Sequence, residues 1–352
     1  MLFNKDFVTN SRVAKDQLSN RDALRTAANI NEKRFAPELE AFDIKVNEGI
    51  IPQDVYQEFD NQTVERMRSD DGDTFLNDLM GLSKSINIGK LTYTTRMASD
   101  AGIVKTSMSG QTGFKMDQVE YSYDGFIVPI HDAGFFRNWR ELNAQRSEGF
   151  DALIDDQRET VATVRRYLCD TFLDGMTDAD GNFLNVDGRE WQGIRNDARV
   201  ASVDLGAGGQ NFDYTASGVT GDQIRDAFIT TLNTLYITNN VSQDVTVYIS
   251  REIARNLERK FSTSYAGGNI IDQLNMVQGV ASIKVTNKLS GNQLMAFPLD
   301  GAVKPLVGMG MSTIALPRPI YNSNYEFVTA TALGWYVKND FSGKTCALYA
   351  AG

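Results

Sequence analysis

Between positions 147 and 175 the chain reads SEGFDALIDDQRETVATVRRYLCDTFLDG, and its apolar residues recur at Phe150, Leu153, Ile154, Val161, Val164, Leu168 and Phe172. Most intervals of three, four or seven place them on one stripe of a 3.6-residue period, with Asp151, Asp155, Arg158, Glu159, Arg165 and Arg166 off it. The spacing predicts a long helix that begins at Ser147 and stops at Gly175. At 1.5 Å per residue it spans about 40 Å. A helix of that length with one apolar stripe must lie across something, so the rest of the chain is expected to be organised around it.

Upstream the period changes to two. In KLTYTTRMA, Leu91, Tyr93, Thr95 and Met97 alternate with Thr92, Thr94 and Arg96, and a second alternating stretch runs over 114–130 with Val119, Tyr121 and Tyr123 on one side. Between them lies SDAGIVKTSMSGQTG, polar and glycine-rich, whose Ala101, Ile103, Val104 and Met108 follow no period. The pair reads as a long two-stranded hairpin. A lone hairpin is marginal in water, so one that projects needs a partner to lie on; the other reading folds it back on its own domain.

From Thr220 an α/β pattern is predicted. Ile224, Phe228, Leu232 and Leu235 mark a helix ending near Thr238, VTVYI at Val245 reads as a short buried strand, and Ser250 caps a helix carrying Ile253, Leu257 and Phe261. Strands are expected at 281–286, 293–298 and 303–307, and then over 325–340 and in KTCALYA, these last packing back on the long helix. Earlier, Val55, Phe59 and Val64 fall at helical spacing, and 75–82 begins another short element. The first 48 residues balance eight Lys or Arg against eight Asp or Glu without a continuous apolar face. They read as an arm that orders only against a neighbour, or as a disordered tail.

Composition narrows the chemistry. With 352 residues, 42% hydrophobic and 23% charged, the chain can bury a sizeable core. No apolar run reaches the length of a membrane span, and MLFNKDFVTNSR lacks the apolar core of a signal peptide, so a cytoplasmic product without a membrane partner is expected. A net charge of −10 argues against a broad nucleic-acid grip. Cys169 and Cys346 make neither a disulfide framework nor a zinc site and read as buried small hydrophobes. His131, the single histidine, lies beside an apolar run and reads as structural. In MTDADGNFLNVDG the calcium-loop register fails: with Gly181 at the sixth position the twelfth is Asp187, not Glu. AGGQN near Gly208 lacks the pattern of a phosphate loop. No catalytic, cofactor or metal residues are expected.

The order of parts, together with GKLTYTTRMASDAG, YDGFIVPIHDAGFFRNWRE, EGFD and the block 270–319 containing LSGNQLMAFPLDGAVKPLVGM, resembles the Hong Kong 97-type major capsid proteins of tailed bacteriophages. The resemblance covers roughly 49–351. It implies an α+β fold divided into an N-terminal arm (1–48), the start of a peripheral domain (49–88), an extended hairpin loop (89–127) and the peripheral domain with its spine helix (128–215). An axial α/β domain (216–319) and return strands of the peripheral domain (320–352) complete it.

The resemblance also implies a non-enzymatic shell subunit, built into hexamers and pentamers of an icosahedral or prolate virion head around double-stranded DNA that it does not read. Scaffolding is expected as a separate chain or absent, with portal and decoration proteins as further partners. The hairpin tip, with Ser99, Asp100, Gly102, Lys105, Gly110 and Gly113, is the expected inter-subunit contact. An encapsulin-like shell around cargo protein is the alternative, and a soluble α+β enzyme a weaker one.

Overall fold

A computed structural model describes residues 74–111, 113, 116–147, 152–262 and 268–352. The predicted arm and the helix through Val55, Phe59 and Val64 lie outside the described residues. A short helix α1 (Thr74–Met80) and a two-residue strand β1 (Lys84–Ser85) lead into β2 (Thr92–Ala98), β3 (Tyr121–Ile127) and β4 (Ile130–Arg137). Helices α2 (Trp139–Ser147) and α3 (Ala152–Asp174) follow, then the small pair β5 (Asn185–Val186) and β6 (Arg189–Glu190), and β7 (Ala201–Asp204). Next come α4 (Gly221–Asn233), β8 (Val245–Ile249), α5 (Arg251–Leu257), α6 (Ile270–Asn275), β9 (Val280–Val285) and β10 (Gln293–Phe297). Two long strands, β11 (Val303–Ala315) and β12 (Tyr325–Val337), precede the closing β13 (Leu348–Ala351).

The long helix is present, but its start differs from the prediction. Ser147 already lies within a helix that begins at Trp139, α2, and α3 is described from Ala152. Its stop is as expected: Gly175 has φ +80, and a Cβ there would come within 2.7 Å of Gly193 N and Trp191 O. Of the predicted stripe, Val164, Leu168 and Phe172 are buried, joined by Ala162, Cys169 and Leu173. Leu153 and Val161 are only half-buried, Ile154 is 56% exposed, and Phe150 lies outside the described residues. The stripe is therefore buried in the C-terminal half of the helix, where two sheets meet over it.

The first sheet has the order β1-β11-β12-β4, with β11, β12 and β4 antiparallel in succession. β11 continues eight residues past its predicted end at Val307, with register shifts at Val307/Met309 and Met309/Ser312. The second sheet has the order β7-β13-β10-β8-β9. Of KTCALYA only Leu348–Ala351 forms a strand, and it pairs with β10 and, in parallel, with β7. Alternation explains how it still reaches the helix. Tyr349, Met295, Phe297 and Tyr248 point into the core that contains Leu168 and Phe172, while Leu348, Ala350, Leu294, Ala296, Val247 and Ile249 point into a second core beneath α4, α5 and α6. One sheet thus belongs to two cores, which is why VTVYI is buried at every position.

The α/β region forms as its local signals dictate. Thr220 Oγ1 accepts from Gln223 N while Gln223 Oε1 accepts from Thr220 N, a reciprocal cap on α4. The helix then runs through a π turn, Thr234–Thr238. Ser250 Oγ accepts from Ile253 N to cap α5. The outer edge of β9 is blunted where Ile283 N donates to Asn275 Oδ1. Charged side chains tie the layers together. Asp78 of α1 takes Lys284 Nζ and Tyr248 Oη, each at 2.6 Å, and Asp170 of α3 takes Lys288 Nζ at 2.7 Å.

Candidate assembly surfaces

The hairpin predicted from alternation is formed by β2 and β3, in register from Thr92↔Ile127 to Ala98↔Tyr121. The second strand begins at Tyr121 and not near position 114, and it ends at Ile127, before Pro129 and the separate strand β4. Beyond Ala98 a long tip runs from Ser99 to Glu120. Ser99 closes the ladder: its N donates to Glu120 O and its Oγ accepts from Glu120 N, both at 2.9 Å. Gly102 N donates to Asp117 Oδ2, Lys105 Nζ to Gly113 O, and Gly110 N to Ser107 Oγ. Gly102 and Gly110 sit at φ +98 and +67, backbone that favours glycine. Asp100, Gly102, Lys105, Gly110 and Gly113 are exposed and Ser99 is half-buried.

The tip's apolar residues find no cover among the described residues: Val104, Met108 and Met116 are essentially fully exposed, and Ile103 is more than half exposed. On the strands, Tyr121 and Tyr123 are exposed on one face, with the Arg96 guanidinium 5.0 Å from the Tyr121 ring centroid. A surface of this kind marks a contact in waiting.

A second apolar surface lies on the outer face of the first sheet. Pairing places Phe136 beside Glu326, Ile314 beside Val328, and Leu316 opposite Glu326, all on one side. Phe136, Ile314 and Leu316 are exposed there. The opposite side faces α3: Phe135 stacks on Phe327, and Arg137 pairs with Asp156. The turn between β11 and β12 is stiffened by Arg318, which lies 4.1 Å over the Tyr325 ring and donates to Ser323 O, and it displays Ile320 and Tyr321.

Of the remaining groups singled out from sequence, His131 and Cys169 are internal. His131 is buried on β4, edge-on to the Tyr167 and Trp191 rings. Burial holds its pKa below the ordinary histidine value, partly offset by a hydrogen bond to the Leu333 backbone and by Asp132. Cys169 is fully buried as expected, whereas Cys346 is only half-buried; burial first, then Asp300 and Asp340, push its thiol upward. Asp178 Oδ1 accepts from Asp180 N and Asn182 N, so the would-be calcium loop is a carboxylate-closed turn. The glycine-rich segment near Gly208 is a turn after β7, where Gln210 N donates to Asp204 O. Among the described residues no group of three His, Cys, Asp or Glu side chains could hold a metal ion. No described helix is long and apolar enough to cross a membrane.

Sequence reasoning missed the contacts at the base of the hairpin. Arg199 Nε lies 2.7 Å from Asp197 Oδ1, its Nη1 lies 3.2 Å from Asp124 Oδ2 on β3, and its guanidinium lies 4.4 Å from the Phe126 ring centroid. Burial disfavours the Arg199 charge, but the two carboxylates outweigh it and raise its pKa. On the other side Lys84 Nζ donates to Tyr93 Oη at 2.6 Å, and the Tyr93 and Phe126 rings both pack on Tyr336. The only local sign is a short Asp-Ala-Arg run, which many solvated loops share.

A family model described as "Family of unknown function (DUF6260)" matches residues 45–350. No curated protein matches by sequence. Among solved structures, the capsid of Myoviridae phage XM1 aligns with a TM-score of 0.65 at 16% identity, over 86% of this chain and 99% of that one. A chain of Mycobacterium phage Che8 aligns at 0.57 and 13% identity, over 87% and 98%. The capsid of a native GTA particle aligns at 0.55 and 10% identity, over 84% and 95%.

Proposed function

The chain belongs to the family of unknown function DUF6260 and has the Hong Kong 97-type capsid fold, and from that premise we propose that it is a major capsid protein. Copies assemble as hexamers and pentamers into the closed head of a tailed phage, around double-stranded DNA. The observation that carries the reading is the hairpin, a large structured element whose apolar tip finds no cover within the described chain. In a shell, each hairpin is covered by a neighbouring copy, and the outer face around Phe136, Ile314 and Leu316 is covered in turn. Head-to-tail contacts of this kind close into rings, and small changes of angle between rings curve them into a shell. The net charge of −10 suits a wall that confines a polyanion without condensing on it. The partners proposed for such a shell are a portal, decoration proteins, and scaffolding where it is supplied as a separate chain.

The test is imaging of the assembled product before and after nuclease treatment. Closed shells, with nuclease-protected DNA when the chain is made during phage growth, are the expected result. Shells that hold only protein cargo would place the chain with nanocompartments, and a monodisperse small oligomer would remove the shell reading altogether.

A further inference from the structure

We propose that Arg199 is the positioning residue that fixes the angle at which the hairpin leaves the body. Outside its base one face of the hairpin, with Thr94, Arg96, Ala98, Tyr121 and Tyr123, is exposed, and the other, with Thr95, Met97 and Ser122, is only half-buried. At the base, Arg199 links two separate pieces of chain. Asp124 belongs to β3, 3.2 Å from Nη1, and Asp197 belongs to the segment after β6, 2.7 Å from Nε. Asp197 is only 8% exposed and also accepts Arg199 N at 2.9 Å, so that half of the bridge is part of the folded body.

Asp124 is the half that can let go. Its other hydrogen bond, accepted from the neighbouring Gly125 N at 2.7 Å, is local to β3 and survives conversion to Asn. A charge-assisted bond in a partly buried site is directional, which a greasy contact is not, and a rigid guanidinium fork holds two acceptors at a set separation. The adjoining Gly125 adds to the fit: a Cβ there would fall within 1.9 Å of Arg189 Nε, so the Arg189 side chain lies directly across the strand. The inference deepens the capsid reading, because a preset hairpin angle matters most to a copy that must receive it.

The experiment uses the full chain as unassembled subunits with Cys346→Ser, spin-labelled at Ala98→Cys and Lys338→Cys; Cys169 is fully buried and stays unlabelled. Pulsed electron–electron distance measurement on this background should give one narrow distance. Asp124→Asn should lose the narrow peak while the melting temperature holds, and Asp124→Glu, which keeps the carboxylate, should recover it. A narrow peak in Asp124→Asn equal to the parent's would overturn the proposal, whatever happens to particle yield. Particle yield separates the two ideas: a lost peak with normal shells keeps the clamp and removes the hairpin as an assembly arm. A retained peak with lost shells removes the clamp and keeps the arm.

Discussion

Phe172 sits where both sheets meet the long helix, and replacing it with Ala gives a sharp test of the shared core. Its ring lies 4.6 Å from that of Trp335, 5.2 Å from Phe75 and 6.3 Å from Phe297, and it is 2% exposed. Those three neighbours come from β12, α1 and β10, so no single element can collapse into the gap. Truncating a buried Phe in such a site costs about 3–5 kcal/mol, against a domain stability of about 5–15 kcal/mol. With a denaturant slope of about 3 kcal/mol per molar urea, the unfolding midpoint of the unassembled subunit should fall by about 1 M. Because β10, β8 and β13 serve both cores, the two should lose structure in one transition, seen equally by far-ultraviolet circular dichroism and by tryptophan fluorescence. Phe136→Ala, on the exposed outer face, is the control and should cost no more than about 0.5 kcal/mol. Equal midpoints for the two variants, or two separated transitions in the parent, would refute the shared core.

Three further outcomes follow from the same geometry. Leu168→Asp buries an unpaired charge at several kcal/mol and should leave the subunit insoluble, whereas Ile154→Asp, at an exposed position of the same helix, should express as soluble protein; fractionation of cell extracts reads both. Gly175→Ala forces φ +80 on an L-residue against Gly193 N and Trp191 O, and should lower stability by about 2 kcal/mol or more in urea unfolding. His131 has a folded pKa below its unfolded value, so its contribution is constant above about pH 6.5. As pH falls below that value, the unfolded chain takes up the proton first, and stability drops by up to about 1.4 kcal/mol per pH unit until the folded pKa is reached. Unfolding series from pH 7.5 to 5.5 should show this slope in the parent and lose it in His131→Phe.

Local signals carried much of the fold. Thr220 and Ser250 announce α4 and α5 because capping is a contact between near neighbours in sequence. Alternation around Tyr93 and Tyr123 announces the hairpin for the same reason. What escaped was set by distant partners. Ser147 reads as a helix start by residue type, yet it already lies within the helix of WRELNAQRS, which begins at Trp139. Gly308 and Gly310, with two register shifts, hide the far half of β11 from any period-two template. The sheet that receives Leu348–Ala351 is decided by pairing with β7 and β10, far away in the chain, and four apolar residues cannot encode that choice. Ile154 reads as core by spacing alone, but the sheets that cover Leu168 do not extend over it. The hairpin's strands were legible, while the Asp124–Arg199–Asp197 bridge was not, since a salt link between remote residues leaves no periodic trace.

The central claim, that this chain builds a shell through its hairpin, is tested most directly by replacing residues 99–113 of the tip with an Asn-Gly turn. The apolar residues of that tip are exposed, and shortening a loop changes its closure entropy by only about 0.6 kcal/mol for each halving. The shortened subunit should therefore melt close to the parent by circular dichroism, and its sucrose gradient should contain no particles. Full shells in normal yield from the shortened chain would contradict the account.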